Sequence, residues 1–286
     1  MKYINRVLIL ISVSLFIISC SRDLPYPKKH VRDGVVVDIT AVSGSDLVLS
    51  DGVVAGNFQT KISIPTQQGD YSHLGYVEVL AVLRDVKGQH ESKVVGDKVE
   101  TFPSNIKIDI KEVYKSFGKS APIRGETLYI TTNSVLKNGY VINGWTKETG
   151  FNNKGFSGWV VDDRPYSYHV RYPVVCSLVL EDFNGSMDMV FGETIMPITC
   201  EKISDNELLI KGFEDKYEFK IKVNPLDHTV VVDKQILDPV YNQYTNLYIL
   251  GKGTIDACNK SISLILDRGV DQGTFYRDRN WILTKK

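Results

Sequence analysis

The chain has 286 residues, in which 34 basic side chains balance 34 acidic ones. A formal charge of zero provides no overall basic surface, which argues against a nucleic-acid partner. The length is sufficient for two ordinary domains, so the sequence describes more than a single small module.

The first twenty residues have the pattern of an exported lipoprotein. Lys2 and Arg6 precede an apolar run of 12 residues from Val7 to Ile18, which is short of the ~20 residues that span a bilayer as a helix. The run closes with Ile17-Ile18-Ser19-Cys20, which reads as a bacterial lipobox. In a lipobox the cysteine follows the cleavage point, and its thiol carries the diacylglycerol that anchors the protein.

This leader predicts where the protein is located. Residues 1–19 are predicted to be a lipoprotein signal peptide, Cys20 the lipidation site and residues 20–33 a polar tether. Because Asp23 follows Cys20 at a distance of three residues rather than directly, we expect the outer membrane, with the cell surface and the inner leaflet both left open. The alternative is an uncleaved N-terminal anchor that ends in an ordinary cysteine.

Residues 34–172 predict a first β domain. Segments rich in β-branched and aromatic residues alternate there with turn dipeptides such as Asp51-Gly52 and Asn138-Gly139. The predicted strands are Val35–Ile39, Phe58–Ile64, Tyr76–Leu83 and Ile106–Ile110.

One short helix is predicted from Asp109 to Phe117. Asp109 and Glu112 have the spacing of a capping box, and Gly118 is placed to end the helix. This helix competes with the end of the strand predicted over Ile106–Ile110.

Residues 173–286 predict a second β domain. Short strand candidates follow one another at a spacing of about ten residues, which is typical of an antiparallel barrel or sandwich. The predicted strands are Val174–Glu181, Met187–Phe191, Ile195–Ile203, Glu207–Lys211, Tyr217–Val223, Thr229–Asp233, Leu247–Leu250, Ser261–Asp267 and Trp281–Thr284. The predicted fold class is therefore all-β.

Three cysteines follow Cys20 in the sequence. Export to an oxidising compartment permits one bridge and one remaining thiol. The preferred pair is Cys176 with Cys258, because the first lies in a predicted strand and the second at the opening of another. The alternative is that these two and Cys200 are all buried, unpaired hydrophobic residues. No cysteine or histidine spacing indicates a metal site, so we predict no metal and no cofactor.

The segment from Tyr140 to Tyr172 is the strongest local anomaly, because eight of its 33 residues are aromatic. An aromatic face matches the flat C–H face of a sugar ring, and neighbouring polar side chains can bond to its hydroxyls. The alternative is that these aromatic residues lie under a long loop and pack against the first domain. The ligand-binding candidates are Trp145, Trp159, Tyr166 and Tyr168.

The order of these pieces resembles the uncharacterised two-domain surface lipoproteins of Bacteroidota that are grouped with SusE-like components of glycan-utilisation systems. The likeness rests on structural turns and strands rather than on a binding code. The segments that carry it are Ile17–Cys20, Tyr76–Val79, Val99–Pro103, Asp109–Gly118, Val174–Leu178, Phe183–Gly185 and Gly251–Cys258.

The resemblance implies an immunoglobulin-like first domain and a compact β C-terminal domain, displayed beside a TonB-dependent transporter and its SusD-like partner. It implies no enzymatic activity. This chain has room for one binding module where SusE itself has several, and none of that family's sugar-binding positions can be matched here.

The function predicted from the sequence is therefore a lipid-anchored, non-enzymatic accessory of nutrient capture, with glycan as the expected ligand. No Gly-x-Ser-x-Gly motif and no phosphate-binding glycine loop followed by a helix is present in the sequence. We predict no catalytic residue and no nucleic-acid partner. Two alternatives stay open, namely a structural scaffold lipoprotein and a small-ligand carrier that uses the C-terminal barrel.

Overall fold

The computed structural model describes residues 34–152, 160–161 and 163–286. The predicted signal peptide and tether, with Cys20, lie outside the described residues, and so does Trp159. No helix among the described ranges is both long enough and apolar enough to cross a membrane. Residues Val35–Lys286 make up one compact unit.

Two β-sheets form the first half of this unit. The smaller is antiparallel and contains β1 (Asp38–Ala41), β3 (Gln59–Ser63) and β6 (Ser104–Lys107). The larger contains, in spatial order, β2 (Leu49–Ser50), β13 (Val170–Val175), β7 (Thr127–Leu136), β4 (Leu74–Arg84) and β5 (His90–Val94), with β8 (Val141–Ile142) paired to β7. β2 and β13 run parallel, so this sheet is mixed.

Both sheets contribute to one hydrophobic cluster. Ile39 and Ile62 of the smaller sheet belong to it, as do Val77, Leu128 and Ile130 of the larger one. Leu128 and Ile130 alternate with residues on the opposite face of β7, because successive side chains of a strand point to opposite sides. The outer face of the larger sheet is therefore available to other residues.

The predicted helix is confirmed as α1 (Ile110–Ser116). The side chain of Asp109 accepts a hydrogen bond from the backbone N–H of Glu112 at 3.1 Å, and Gly118 has a φ of +71° just after the helix. Since Asp109 is the cap, the preceding strand ends at Lys107 rather than at Ile110.

One strand prediction at the start of the second half is wrong. β13 ends at Val175 and a short 3₁₀ helix, Leu180–Phe183, replaces the second part of the strand predicted over Val174–Glu181. Leu180 and Phe183 are buried in the second core. The predicted domain boundary between residues 172 and 173 falls inside β13.

Eight antiparallel strands form a closed barrel in the second half, which confirms the barrel alternative of the predicted C-terminal fold. Each strand pairs with the next along the chain, and the last strand pairs with the first. The strands are β14 (Gly185–Phe191), β15 (Thr194–Ser204), β16 (Glu207–Phe213), β17 (Tyr217–Asn224), β18 (Thr229–Tyr241), β19 (Tyr244–Asp256), β20 (Ser261–Val270) and β21 (Gly273–Lys285).

Buried and exposed side chains alternate in the barrel strands, most regularly in β17. In β17 every second residue, from Tyr217 to Val223, is buried, and those between are exposed. Phe219, Ile221 and Leu264 are almost completely buried in the interior. A barrel of eight strands is just wide enough to be filled by such side chains.

Candidate functional site

Aromatic residues gather on the outer face of the larger sheet. Tyr129 lies on β7 between Leu128 and Ile130, whose side chains enter the core on the other face. Two short hairpins follow: β9 (Trp145–Thr146) pairs with β10 (Gly150–Phe151), and β11 (Val160–Val161) pairs with β12 (Arg164–Pro165). We define the aromatic cluster as His90, Tyr129, Trp145, Phe151, Tyr168 and His169.

The rings of the aromatic cluster form a continuous series of contacts. At one end His90 stacks on Trp145 with centroids 6.1 Å apart and an interplanar angle of 30°. Tyr129 lies 5.2 Å from both Phe151 and His169 in the middle. His169 stacks on Phe151 at 4.7 Å and also contacts Tyr168 at 4.5 Å.

The hairpin β9–β10 explains part of this arrangement. Trp145 and Phe151 are directly opposite each other in the hairpin, so their side chains leave it on the same side. The hydroxyl of Thr131 donates to the carbonyl oxygen of Tyr168 at 2.8 Å and holds the segment before β13 against the sheet. The rings of the aromatic cluster therefore come from four separate parts of the chain: β5, β7, the hairpin β9–β10 and the segment before β13.

The rings of the aromatic cluster are only partly covered. His90 is exposed, and Trp145, Tyr129, Phe151 and Tyr168 are half-buried. A half-buried ring in a fixed stack offers one open edge or face at little cost in side-chain entropy, which suits contact with an apolar ligand surface.

His169 is more buried than the exposed His90. Burial lowers the pKa of His169, and the positive charge of Arg171 lowers it further. Its Nδ1 is buried and has no hydrogen-bond partner among the described residues. Its ring is packed between Phe151 and Tyr168.

Tyr166 lies beside the aromatic cluster, with its ring 6.4 Å from that of Tyr168. Its hydroxyl donates to the carbonyl oxygen of Val37 at 3.1 Å. Burial, the carboxylate of Asp38 and the neighbouring Tyr168 raise the pKa of Tyr166 to about 12. Its polar end is therefore used to attach this segment to the N-terminal strand.

The structure thus separates the four sequence-predicted ligand candidates. Trp145 and Tyr168 belong to the aromatic cluster, Tyr166 adjoins it, and Trp159 lies outside the described residues. Sequence reasoning missed His90 and Tyr129, which come from outside the aromatic-rich segment. The alternation of Leu128, Tyr129 and Ile130 was a usable signal, because it places Tyr129 alone on the outer face.

The second place of interest is the disulfide between Cys176 and Cys258, whose Cα atoms are 5.2 Å apart. This is the pair that the sequence prefers. It joins the segment after β13 to the turn between β19 and β20. Cys200 is a free, buried thiol, and burial raises its pKa to about 12, so it remains protonated at neutral pH.

A cleft of about 510 Å³ lies beside the disulfide and is lined in part by Arg124, Asp227, His228 and Asp256. Its carboxylates already have partners: Asp227 accepts from the backbone N–H of Thr229 and Asp256 from that of Cys258, both at 2.9 Å. Burial lowers the pKa of His228, so its ring is favoured in the neutral form. These carboxylates therefore stabilise the turns that meet here and are not free to bind a ligand.

The described part of the chain contains no candidate metal site, because no group of three or more His, Cys, Asp or Glu side chains there could hold an ion. No family model, curated protein or solved structure matches this chain. Geometry and residue chemistry are therefore the grounds for the proposals that follow.

Proposed function

We propose that this protein is a lipid-anchored, non-enzymatic cell-envelope protein that captures glycan beside a TonB-dependent transporter, in the outer membrane. The lipobox-like sequence ending at Cys20 supports the anchor. The first two sheets, which share one core, support the further proposal that this half is an immunoglobulin-like sandwich.

The observation that carries the glycan proposal is the aromatic cluster. Half-buried rings from Tyr129, Trp145 and Phe151 adjoin an exposed His90 on one sheet face. The C–H face of a pyranose packs on such rings, while polar groups at the edge bond to its hydroxyls. Asn152 is exposed next to Phe151 and supplies both a donor and an acceptor.

The expected affinity is low. A site of a few partly exposed rings, without an enclosing pocket, favours dissociation constants of about 1 mM, or roughly 4 kcal/mol. Such weak binding is adequate for an accessory that acts next to a transporter, because tethering both to one membrane raises their effective concentration.

A glycan array followed by calorimetric titration of the best glycan tests this proposal. Trp145→Ala should weaken binding at least tenfold, whereas Tyr71→Ala, which removes a ring that is 38% exposed outside the aromatic cluster, should leave it unchanged. Retention of no glycan at millimolar concentration would overturn the proposal in favour of the scaffold alternative.

The scaffold alternative has one specific observation in its favour. A groove of about 310 Å³ lies between the terminal strands of the two sheets, β5 and β6, and α1, and Val79, Ile108 and Val113 line it. Terminal strands offer unpaired backbone groups to an added strand. A neighbouring protein of the transporter complex would use this groove, and cross-linking from Val94→Cys, a position that is 53% exposed, would detect it.

A further inference from the structure

The end of the barrel farthest from the disulfide has an unusual interior. In a barrel whose strands follow one another up and down, alternate turns lie at opposite ends. The disulfide marks the end with the β19–β20 turn, so the β14–β15, β16–β17, β18–β19 and β20–β21 turns form the other. We define the barrel-mouth cluster near these turns as Phe191, Glu214, Arg268, Tyr276, Arg279 and Trp281.

Arg279 occupies an interior position of β21. It alternates with the buried residues Trp281 and Leu283, so its side chain leaves the strand on the inner face. The guanidinium lies 4.5 Å from the ring centre of Phe191 and 4.1 Å from that of Tyr276. No ion pair or hydrogen bond joins this guanidinium to another described residue. Its N–H groups are therefore positioned by ring stacking and left without a protein acceptor.

Arg268 on the neighbouring strand is largely buried, with 11% of its side chain exposed. It pairs with Glu214, and its guanidinium lies 5.4 Å from the ring centre of Tyr241 and 5.3 Å from that of Phe275. Its Nε is buried and has no hydrogen-bond partner among the described residues.

Two further buried donors also lack a hydrogen-bond acceptor. The hydroxyl of Tyr276 and the indole Nε1 of Trp281 lie beside each other, and neither has a partner of normal geometry in the described part of the chain. Trp281 is only 4% exposed. Even if its N–H were donated to the Tyr276 oxygen, the hydroxyl proton would still need an acceptor. Leaving a buried donor unpaired is unfavourable, because the donor loses its hydrogen bonds to water and gains none in exchange, so an acceptor at this place is favoured.

The charges point to an anion. Two guanidinium groups and one carboxylate give the barrel-mouth cluster an excess of one positive charge. A single carboxylate matches that excess, has acceptors only, and fits the planar fork of an arginine, whereas a phosphate monoester would bring up to two negative charges. The rings of Phe191 and Phe275 favour a ligand whose carboxylate is attached to a ring.

We propose that the barrel-mouth cluster binds the carboxylate of a small ring compound, with Arg279 as the principal partner and the Tyr276 hydroxyl as a second donor. This site is separate from the aromatic cluster and does not depend on the proposed glycan function. A carboxylate of this kind belongs either to an acidic sugar or to a free cyclic organic acid.

Calorimetric titration of the full-length protein with three probes tests the proposal. Sodium glucuronate carries the sugar ring and the carboxylate, cyclohexanecarboxylate carries an apolar ring and the carboxylate, and glucose is the neutral control. We expect at least one carboxylate to bind and glucose to bind at least tenfold more weakly at this site. Preference for glucuronate identifies the acidic sugar as the source, and preference for cyclohexanecarboxylate identifies the free acid.

Variants on one strand provide the matched controls. Arg279→Gln should weaken carboxylate binding at least tenfold, and Arg277→Gln, at an exposed position of the same strand, should leave it unchanged. Tyr276→Phe removes only the hydroxyl and should weaken binding severalfold, which keeps the test decisive if Arg279→Gln fails to fold. Trp145→Ala should not affect carboxylate binding, so the failure of one proposal leaves the other intact.

Two outcomes would overturn the proposal. The first is that neither carboxylate releases heat at millimolar concentration with the unaltered protein. The second is that Arg277→Gln weakens binding as much as Arg279→Gln does, since the effect would then come from general positive charge rather than from the barrel mouth.

Discussion

Trp145 and Trp281 differ in burial, and this difference predicts how each contributes to stability. Trp145 is half-buried and stacked on His90, whereas Trp281 is 4% exposed in the barrel core. Trp145→Ala should cost about 1 kcal/mol, chiefly from the lost ring stack. Trp281→Ala should cost about 3–5 kcal/mol, as for other core aromatic residues. Thermal or urea unfolding of both variants measures this; equal losses would place Trp145 in the core and remove the aromatic cluster as a ligand surface.

His169 predicts a pH dependence of stability. Burial lowers its pKa in the folded state below the ordinary value of 6.5, so the folded protein favours the neutral ring. Its contribution to stability is therefore present above about pH 6.5 and is lost as the pH falls through the lowered folded pKa. The protonated ring carries an N–H on both nitrogens, and one of them is the buried Nδ1, which has no partner in the described residues. The measured free energy of unfolding should decrease on acidification from pH 7 to 5.

His169→Gln isolates this contribution, because it removes the titrating ring. The variant should be less stable at neutral pH but show a shallower decrease on acidification. His228 has a pKa lowered by burial as well, so part of the pH dependence should remain until His228→Gln is added. If His169→Gln leaves the slope unchanged, the ring is not held neutral by its surroundings.

Some residues of the candidate site could be predicted from the sequence, and others could not. The density of aromatic residues around Trp145 and Tyr168 was visible in the chain. The outward direction of Tyr129 was also visible in the alternation of β7. The contacts that His90 and Tyr129 make with the other rings were not, because they depend on sheet pairing between residues far apart in sequence. The unpaired donors of the barrel mouth were also hidden, since burial and partner geometry exist only in the folded barrel.

Among the elements, β12 is attached to β1 by a buried ion pair. Arg164 donates to the carboxylate of Asp38 from Nη1 at 3.0 Å and from Nη2, and Asp38 is completely buried. The carboxylate also accepts from the backbone N–H of Ser167 at 3.1 Å. Arg164→Leu should destabilise the protein by about 2–3 kcal/mol, because it leaves a buried carboxylate without its cation. The expected loss is at the lower end for a buried pair, because one third of the arginine side chain faces solvent.

A surface pair provides the control for this prediction. Lys211 pairs with Glu201 between β15 and β16, and both side chains are about half exposed. Lys211→Met should change the free energy of unfolding by less than about 1 kcal/mol. Adding Asp38→Asn to Arg164→Leu should recover part of the loss in urea unfolding, and no recovery would mean that the arginine acts through packing rather than through charge.

For the helix and the strands, local sequence signals predicted the type of each element better than they predicted its length. α1 and the barrel strands follow from capping and alternation. β18, however, extends to Tyr241 although the alternation predicts an end at Asp233. Its pairing with β19 shifts register between Val232 and Gln235 and again between Ile236 and Asp238, so the period of two is interrupted where the strand continues.

For the molecule as a whole, the disulfide is the main covalent constraint, because it closes a loop with a sequence separation of 82 residues. Closing a loop of that length restricts the unfolded chain and stabilises the folded protein by about 4 kcal/mol. The double variant Cys176→Ala/Cys258→Ala should lose this amount in urea unfolding and become insensitive to reductant. Cys200→Ala, which removes a thiol outside the bridge, should keep its sensitivity to reductant; the opposite pattern would contradict the pairing.

The predicted anchor also belongs to the whole molecule. If the proposed anchor is correct, Cys20→Ala should abolish labelling with palmitate and release the protein from the outer-membrane fraction, because it removes the thiol proposed to carry the lipid. Cys200→Ala controls for the loss of a cysteine as such. Continued labelling of the Cys20 variant would show that Cys20 is not the lipidation site.

The pairing of β14 with β21 has a consequence for how the protein is made. These two strands are the first and last of the barrel in chain order, and their contact closes it. During synthesis one side of the β14 backbone, and one side of the β20 backbone, therefore stays unpaired until β21 has been made. Such open edges invite pairing with other chains, and non-local closure is slow. The barrel should thus depend on chaperones during maturation, even though the closed barrel itself leaves no strand edge unpaired.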